Sequence, residues 1–136
     1  MFHTIILAGN LGRDPEMRYT QSGQAVTNFS VAVNDSYTNN SGERIERTLW
    51  FRVTTWGKLA ETCNNYLKKG RKVLVEGRIV GDPATGGPKV WEGESGPRAS
   101  FEINASTVRF LSSRAEDDAG YQAGEPSQIS DEDIPF

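Results

Sequence analysis

From residue 25 to residue 34 the chain alternates. Phe29, Val31 and Val33 fall on one side of an extended backbone, and Ser30, Ala32 and Asn34 on the other. A helix would scatter these residues around its surface. A strand collects the apolar ones on one face, which then needs a second layer to cover it. The same period returns in a longer run over about residues 44–56. Residues 4–9 are apolar and partly β-branched, and stop at the turn Gly9-Asn10-Leu11-Gly12. Residues 72–80 read as a fourth strand, with Val73, Val75, Gly77 and Ile79 facing inward. Residues 99–110 read as a fifth.

One segment has the other period. Over residues 57–69, Leu59, Ala60, Cys63, Tyr66 and Leu67 form a single helical face. Lys68 and Lys69 then stand in the expected last turn, where cations suit the helix dipole, and Gly70 fits the cap. Residues 34–42 and the Gly/Pro-rich residues 81–96 read as loops. An all-β chain with one helix between strands three and four has the element order of an OB-fold, a five-stranded Greek-key barrel. That order does not fix a function, which must be argued from a site.

Charge divides the chain in two. The full 136 residues carry a net charge of −3. Residues 1–111 hold 14 Lys+Arg and 11 Asp+Glu, a balance of +3. Residues 112–136 hold one Arg and 7 Asp+Glu, a balance of −6. The second segment has too little apolar surface to offset chain entropy and is expected to be a disordered acidic tail. The first is expected to be the folded domain. The tail ends in Asp131-Glu132-Asp133-Ile134-Pro135-Phe136, an apolar tip directly after an acidic run.

Several function classes are disfavoured. One His and one Cys cannot supply the usual zinc site, so no metal or other cofactor is expected. No nucleophile–base grouping and no phosphate-cradling glycine motif occurs, so the chain is not expected to be an enzyme. His3 reads as an early strand residue and Cys63 as part of the core. A lone Cys argues for a reducing compartment. No run approaches the roughly 20 apolar residues of a membrane span, and the N-terminal residues do not look like a signal peptide.

The third strand carries the chemistry. Trp50, Arg52, Thr54 and Trp56 share one face, about 7 Å apart in sequence order, while Phe51, Val53 and Thr55 share the other. Two indoles flanking a guanidinium can stack flat rings and neutralise phosphates together. Base stacking tolerates sequence because every base has a π-face. The competing reading packs both indoles in the core or at a subunit contact; Arg52 between them argues against it, since a buried guanidinium needs a partner. Tyr37 and Trp91 stand on expected loops, with Lys89 beside Trp91. Arg18, Lys58, Lys69, Lys72 and Arg78 are candidate phosphate contacts. Nothing resembles a helix for reading the major groove, so single strands fit better than duplex.

At this point the sequence resembles the bacterial single-stranded DNA-binding protein family. The opening motif is Gly9-Asn10-Leu11-Gly12-Arg13-Asp14-Pro15-Glu16 with Arg18-Tyr19. The central one is Trp50-Phe51-Arg52-Val53 with Trp56-Gly57-Lys58-Leu59-Ala60-Glu61. Tyr66-Leu67-Lys68-Lys69-Gly70, Val75-Glu76-Gly77 and the tip 131–136 follow in order. The resemblance covers about residues 3–110 and the last six. It implies an OB-fold homotetramer that binds single-stranded DNA in replication, recombination and repair, in the cytoplasm and associated with the nucleoid. It implies stacking by Trp50, Trp56, Tyr37 and Trp91, and basic contacts by Arg52 and Lys58. It also implies recruitment of genome-maintenance proteins by the tip. Tyr37 stands where Trp is frequent and Trp56 where Phe is frequent; both keep a π-face. The residues themselves leave two other readings open: an OB-fold replication-restart or RNA-binding module, and a protein-interaction adaptor with exposed aromatics.

Overall fold

The computed structural model describes residues 1–111. The expected tail, 112–136, and its tip lie outside the described residues. The elements in chain order are β1 (Ile5–Leu11), β2 (Glu16–Tyr19), β3 (Ala25–Asn34), β4 (Tyr37–Thr38), β5 (Arg44–Ile45), β6 (Thr48–Trp56), α1 (Gly57–Tyr66), β7 (Lys72–Ile79), β8 (Val90–Gly93), β9 (Gly96–Ala99) and β10 (Phe101–Phe110). The alternation of residues 25–34 forms a single ten-residue strand.

Five strands close on themselves. The order β1-β7-β10-β6-β3 returns to β1 through Asn10 opposite Ala32 and Leu11 opposite Val31. Only β6 and β10 run parallel; the other barrel pairs are antiparallel. This is the expected OB-fold, with α1 between the third and fourth barrel strands. β2 adds an outer strand along β3. Closure forces backbones together at two glycines. A Cβ on Gly9 would fall against the Ala32 carbonyl, where β1 passes from β7 to β3, and one on Gly77 against the Asn104 carbonyl of β10.

Leu7, Leu11, Phe29, Val31, Val53, Val73, Val75 and Ile103 fill the barrel. α1 closes one end with buried Ala60 and Cys63. A buried hydroxyl fastens it, Thr27 Oγ1 donating to the Ala60 carbonyl at 2.7 Å, and Thr55 Oγ1 ties β6 to β3 beneath it by donating to the Thr27 carbonyl at 3.0 Å. The opposite end opens on a largely apolar cavity of about 200 Å³ lined by Ile5, Leu49, Phe51, Ile79, Phe101, Glu102 and Ile103. Phe51 and Phe101 meet there with ring centroids 5.6 Å apart.

Several expectations need correction. The first strand does not stop at Gly9 but runs on to Leu11, because the chain stays extended to pair with β3. The long third run is broken: β5 belongs to a hairpin with β4, and β6 starts at Thr48. α1 ends at Tyr66, and Leu67 is already extended, so Lys68 and Lys69 are not in its last turn. Leu67 still buries its side chain, which continues the apolar spacing past the helix. Ile79 is 57% exposed, since it stands at the open mouth of the barrel. Residues 81–96 are not all loop, because β8 pairs with β9. His3 precedes β1 rather than lying in a strand, and its Nε2 accepts the Ile79 N–H at 3.1 Å. Among the described residues no helix is long and apolar enough to cross a membrane.

Candidate nucleic-acid interface

The interface is set by the register of β3 on β6. Ala32 lies opposite Trp50, Ser30 opposite Arg52, Asn28 opposite Thr54 and Val26 opposite Trp56. Directly opposed residues in a sheet share a face. The outer face of this pair therefore carries Trp50, Arg52, Thr54 and Trp56 as the alternation predicts, and Val53 and Thr55 are buried behind them. Neither indole is a core residue: Trp50 is half-buried, and Trp56 is 43% exposed. Val26, opposite Trp56 in the register, is fully buried although it lies on the outer face.

Neighbouring strands extend the face in both directions. On one side β2 sets Arg18 opposite Val26 and Glu16 opposite Asn28. Arg18, Val26 and Trp56 thus form one row, and Glu16, Asn28 and Thr54 the next. Thr54 Oγ1 donates to Asn28 Oδ1 at 2.8 Å, which ties that second row together. The row continues through Asn104 of β10 to Arg78 of β7, two strands or about 10 Å beyond Thr54. The other way round the barrel, Trp50 leads through Ala32 and Asn10 to Lys72. Arg18 and Arg78 are exposed.

Between β2 and β6 the face sinks into a cleft of about 200 Å³ lined by Arg13, Asp14, Glu16, Asn28, Phe29, Ser30 and Arg52. Lys69 reaches its rim through the backbone: its N–H donates to Asp14 Oδ1 at 2.8 Å. Gly70 N–H donates to the Leu11 carbonyl at 2.9 Å, and Asn10 Nδ2 to the Gly70 carbonyl at 2.9 Å. Lys58 is exposed in the first turn of α1, two residues beyond Trp56.

Tyr37 and Trp91 are not brought to this face. Each sits on a two-stranded hairpin that packs on no other described strand or helix. Tyr37 in β4 is 47% exposed and lies opposite Ile45. Trp91 in β8 is 46% exposed and lies opposite Arg98. Two features were missed by reading the residues. Asp14, Glu16, Asn28 and Ser30 line the cleft, although none of them is among the expected contact residues. Polar residues on the outer positions of β3 were the available signal. Arg47, with its carbon Cζ 5.0 Å from the Tyr37 ring centroid, lies within the 44–56 run, and the period of that run gives no signal of a contact across the hairpin. Among the described residues no cluster of three or more His, Cys, Asp or Glu stands ready to hold a metal ion.

Comparison with known proteins agrees with this geometry. Residues 2–111 match the model of the single-strand binding protein family. The single-stranded DNA-binding protein of Neisseria meningitidis is 42% identical over 123 residues, covering 88% of this chain and 67% of that protein. Single-stranded DNA-binding protein 1 of Chlorobaculum tepidum is 52% identical over 75 residues, covering 55% of this chain and 46% of that protein. Among solved structures, a Plasmodium falciparum SSB in complex with ssDNA superposes with a TM-score of 0.68 at 27% identity, covering 82% of this chain and 96% of that one. A deletion mutant of the Thermus aquaticus single-stranded DNA binding protein superposes with a TM-score of 0.65 at 29% identity, covering 83% of this chain and 52% of that one. A match that runs through the whole described barrel, with relatives that keep its sequence and its shape, makes this chain a member of the single-strand binding protein family.

Proposed function

We propose that the chain binds single-stranded DNA without strong sequence preference, through the outer face of β3 and β6, and protects exposed strands during replication, recombination and repair. One observation carries the reading: Trp50, Arg52 and Trp56 share an outward face with Arg18, next to a cleft that Arg52 enters. The indoles offer π-faces to bases and the guanidinium groups meet phosphates. Trp50 and Trp56 are about 20 Å apart along the strand, so they serve different bases. Tyr37 and Trp91, on hairpins that stand off the barrel, extend the contact to further bases. Lys58, Lys69, Lys72 and Arg78 serve as further phosphate contacts in this reading.

Such binding weakens as salt rises, because each neutralised phosphate releases counterions. The +3 balance of residues 1–111 suits a polyanion, while the −6 of residues 112–136 does not. That tail serves protein partners in this reading: Ile134, Pro135 and Phe136 enter an apolar pocket, and Asp131, Glu132 and Asp133 meet its basic rim. Exposed Ile6, Ile79 and Phe101 favour self-association into the family's tetramer.

The test is a competition. A labelled dT oligonucleotide bound to the full chain is challenged with unlabelled single-stranded DNA, duplex DNA and RNA, with fluorescence anisotropy as readout. Single-stranded DNA should compete best. Equal competition by duplex would refute the reading, and stronger competition by RNA would make the chain an RNA-binding module. For the tail, a chain ending at Leu111 should keep DNA binding and lose partner capture; unchanged capture would remove the tip from the account.

A further inference from the structure

β4 and β5 form a short ribbon beyond the end of the β3–β6 pair, whose last partners are Asn34 and Thr48. A ribbon of two two-residue strands has little stability of its own, and this one packs on no other described element. Yet its stem is fastened. Asp35 N–H donates to the Arg47 carbonyl at 2.9 Å, and Arg47 Nε donates to Asp35 Oδ2 at 2.7 Å. The same guanidinium lies over the Tyr37 ring, with Cζ 5.0 Å from the centroid. Asp35 lies just past the end of β3, two residues before Tyr37 in β4. Arg47 reaches both from the opposite arm. At the tip, Asn39 Oδ1 accepts the Ser41 and Glu43 N–H groups at 3.0 and 2.9 Å, so both ends of the ribbon are held.

We infer that Arg47, anchored by Asp35, is a positioning residue that holds the Tyr37 ring in place and covers one of its faces, so that the ribbon offers a single open face to one base. This rests on the proposed stacking role of Tyr37. Its consequence is preorganisation. A tyrosine already immobilised on a guanidinium loses less freedom when a base lands on it. The alternative is that Arg47 is one more cation for the phosphates. The two accounts predict opposite signs for one substitution. Removing the Asp35 carboxylate takes a negative charge from the neighbourhood of DNA and releases Arg47. On the phosphate account, binding tightens. On the positioning account, it weakens although the surface has become more positive.

The experiment measures dT oligonucleotide affinity for the full chain carrying Asp35→Ala, Tyr37→Ala, both together, or Arg47→Lys. Circular dichroism verifies that each melts like the parent, as expected for a ribbon outside the core. Asp35→Ala should weaken binding about three- to tenfold. Arg47→Lys keeps the charge but loses the planar group that stacks on the ring, and should weaken binding similarly. The double variant should bind no worse than Tyr37→Ala alone, because both changes act through one ring. Unchanged or tighter binding by Asp35→Ala, or losses that add in the double variant, would overturn the inference while leaving Tyr37 as a stacking residue. Parent-like affinity of Tyr37→Ala would overturn both, and would leave binding by Trp50 and Trp56 standing.

Discussion

Replacing Trp56 by Ala removes one stacking platform and no charge. Trp56 is 43% exposed on the outer face of β6, so a large part of its ring is open to a base. Stacking on an aromatic side chain is worth about 1–3 kcal/mol per base, which corresponds to an affinity loss of about 5- to 150-fold. The rest of the ring is covered, on a strand position opposite the buried Val26, so the variant also exposes apolar surface in the folded protein. A fully buried Trp→Ala costs about 3–5 kcal/mol, and roughly half of that is expected at a half-exposed position. Trp56→Phe separates the two effects, since it keeps a π-face and much of the cover. The assay is a dT oligonucleotide titration at several salt concentrations, with a thermal melt of each variant. Trp56→Ala should shift the binding curve at every salt concentration without changing its dependence on salt, because no phosphate contact is lost. Trp56→Phe should recover most of the affinity. Parent-like binding by Trp56→Ala, or a salt dependence that flattens with it, would refute the stacking role.

Arg52→Ala should do the reverse and reduce the slope of log affinity against log salt by about 0.7, the value for one phosphate on a single strand; titrations between about 50 and 200 mM salt measure it. Thr27→Val removes the buried donor to the Ala60 carbonyl. It should cost about 1 kcal/mol and lower Tm by about 4–8 °C, as read by a thermal melt, with DNA affinity unchanged below the transition. Burial pushes the Cys63 thiol from its usual value near 9 up to about 11, against a smaller opposing effect of its hydrogen bond with Thr55. Between those values the unfolded chain has lost this proton and the folded one keeps it, so Cys63 contributes stability below pH 9 that declines up to pH 11. Denaturant melts of the parent and Cys63→Ala should therefore show a steeper alkaline loss in the parent.

The parts of the fold that were legible are those in which one face is buried. β3 and β6 alternate because their inner residues fill the barrel, and the same alternation placed Trp50, Arg52 and Trp56 outside. The face followed directly from the strand. The end of α1 was not legible, because Leu67 continues the helical spacing of buried side chains after its backbone has turned extended. β2 was invisible for the opposite reason. Glu16, Arg18 and Tyr19 are exposed, and the strand exists through pairing with β3 rather than through any apolar pattern of its own. The two hairpins bury almost nothing, so most of their residues read as loop and Arg44 and Ile45 as part of the third strand, although Tyr37 and Trp91 marked them as sites of interest. Arg47 was overlooked because its importance lies in what it touches across the ribbon, a contact that no spacing within the chain encodes.

The central claim is that single-stranded DNA lies on the tryptophan-bearing face. Titrating poly-dT into the full chain while following intrinsic tryptophan fluorescence tests it most directly, since Trp50, Trp56 and Trp91 are the chain's only tryptophans. The account predicts strong, saturable quenching that added salt reverses and that duplex DNA does not reproduce. Binding without quenching, or the same quenching by duplex, would contradict it.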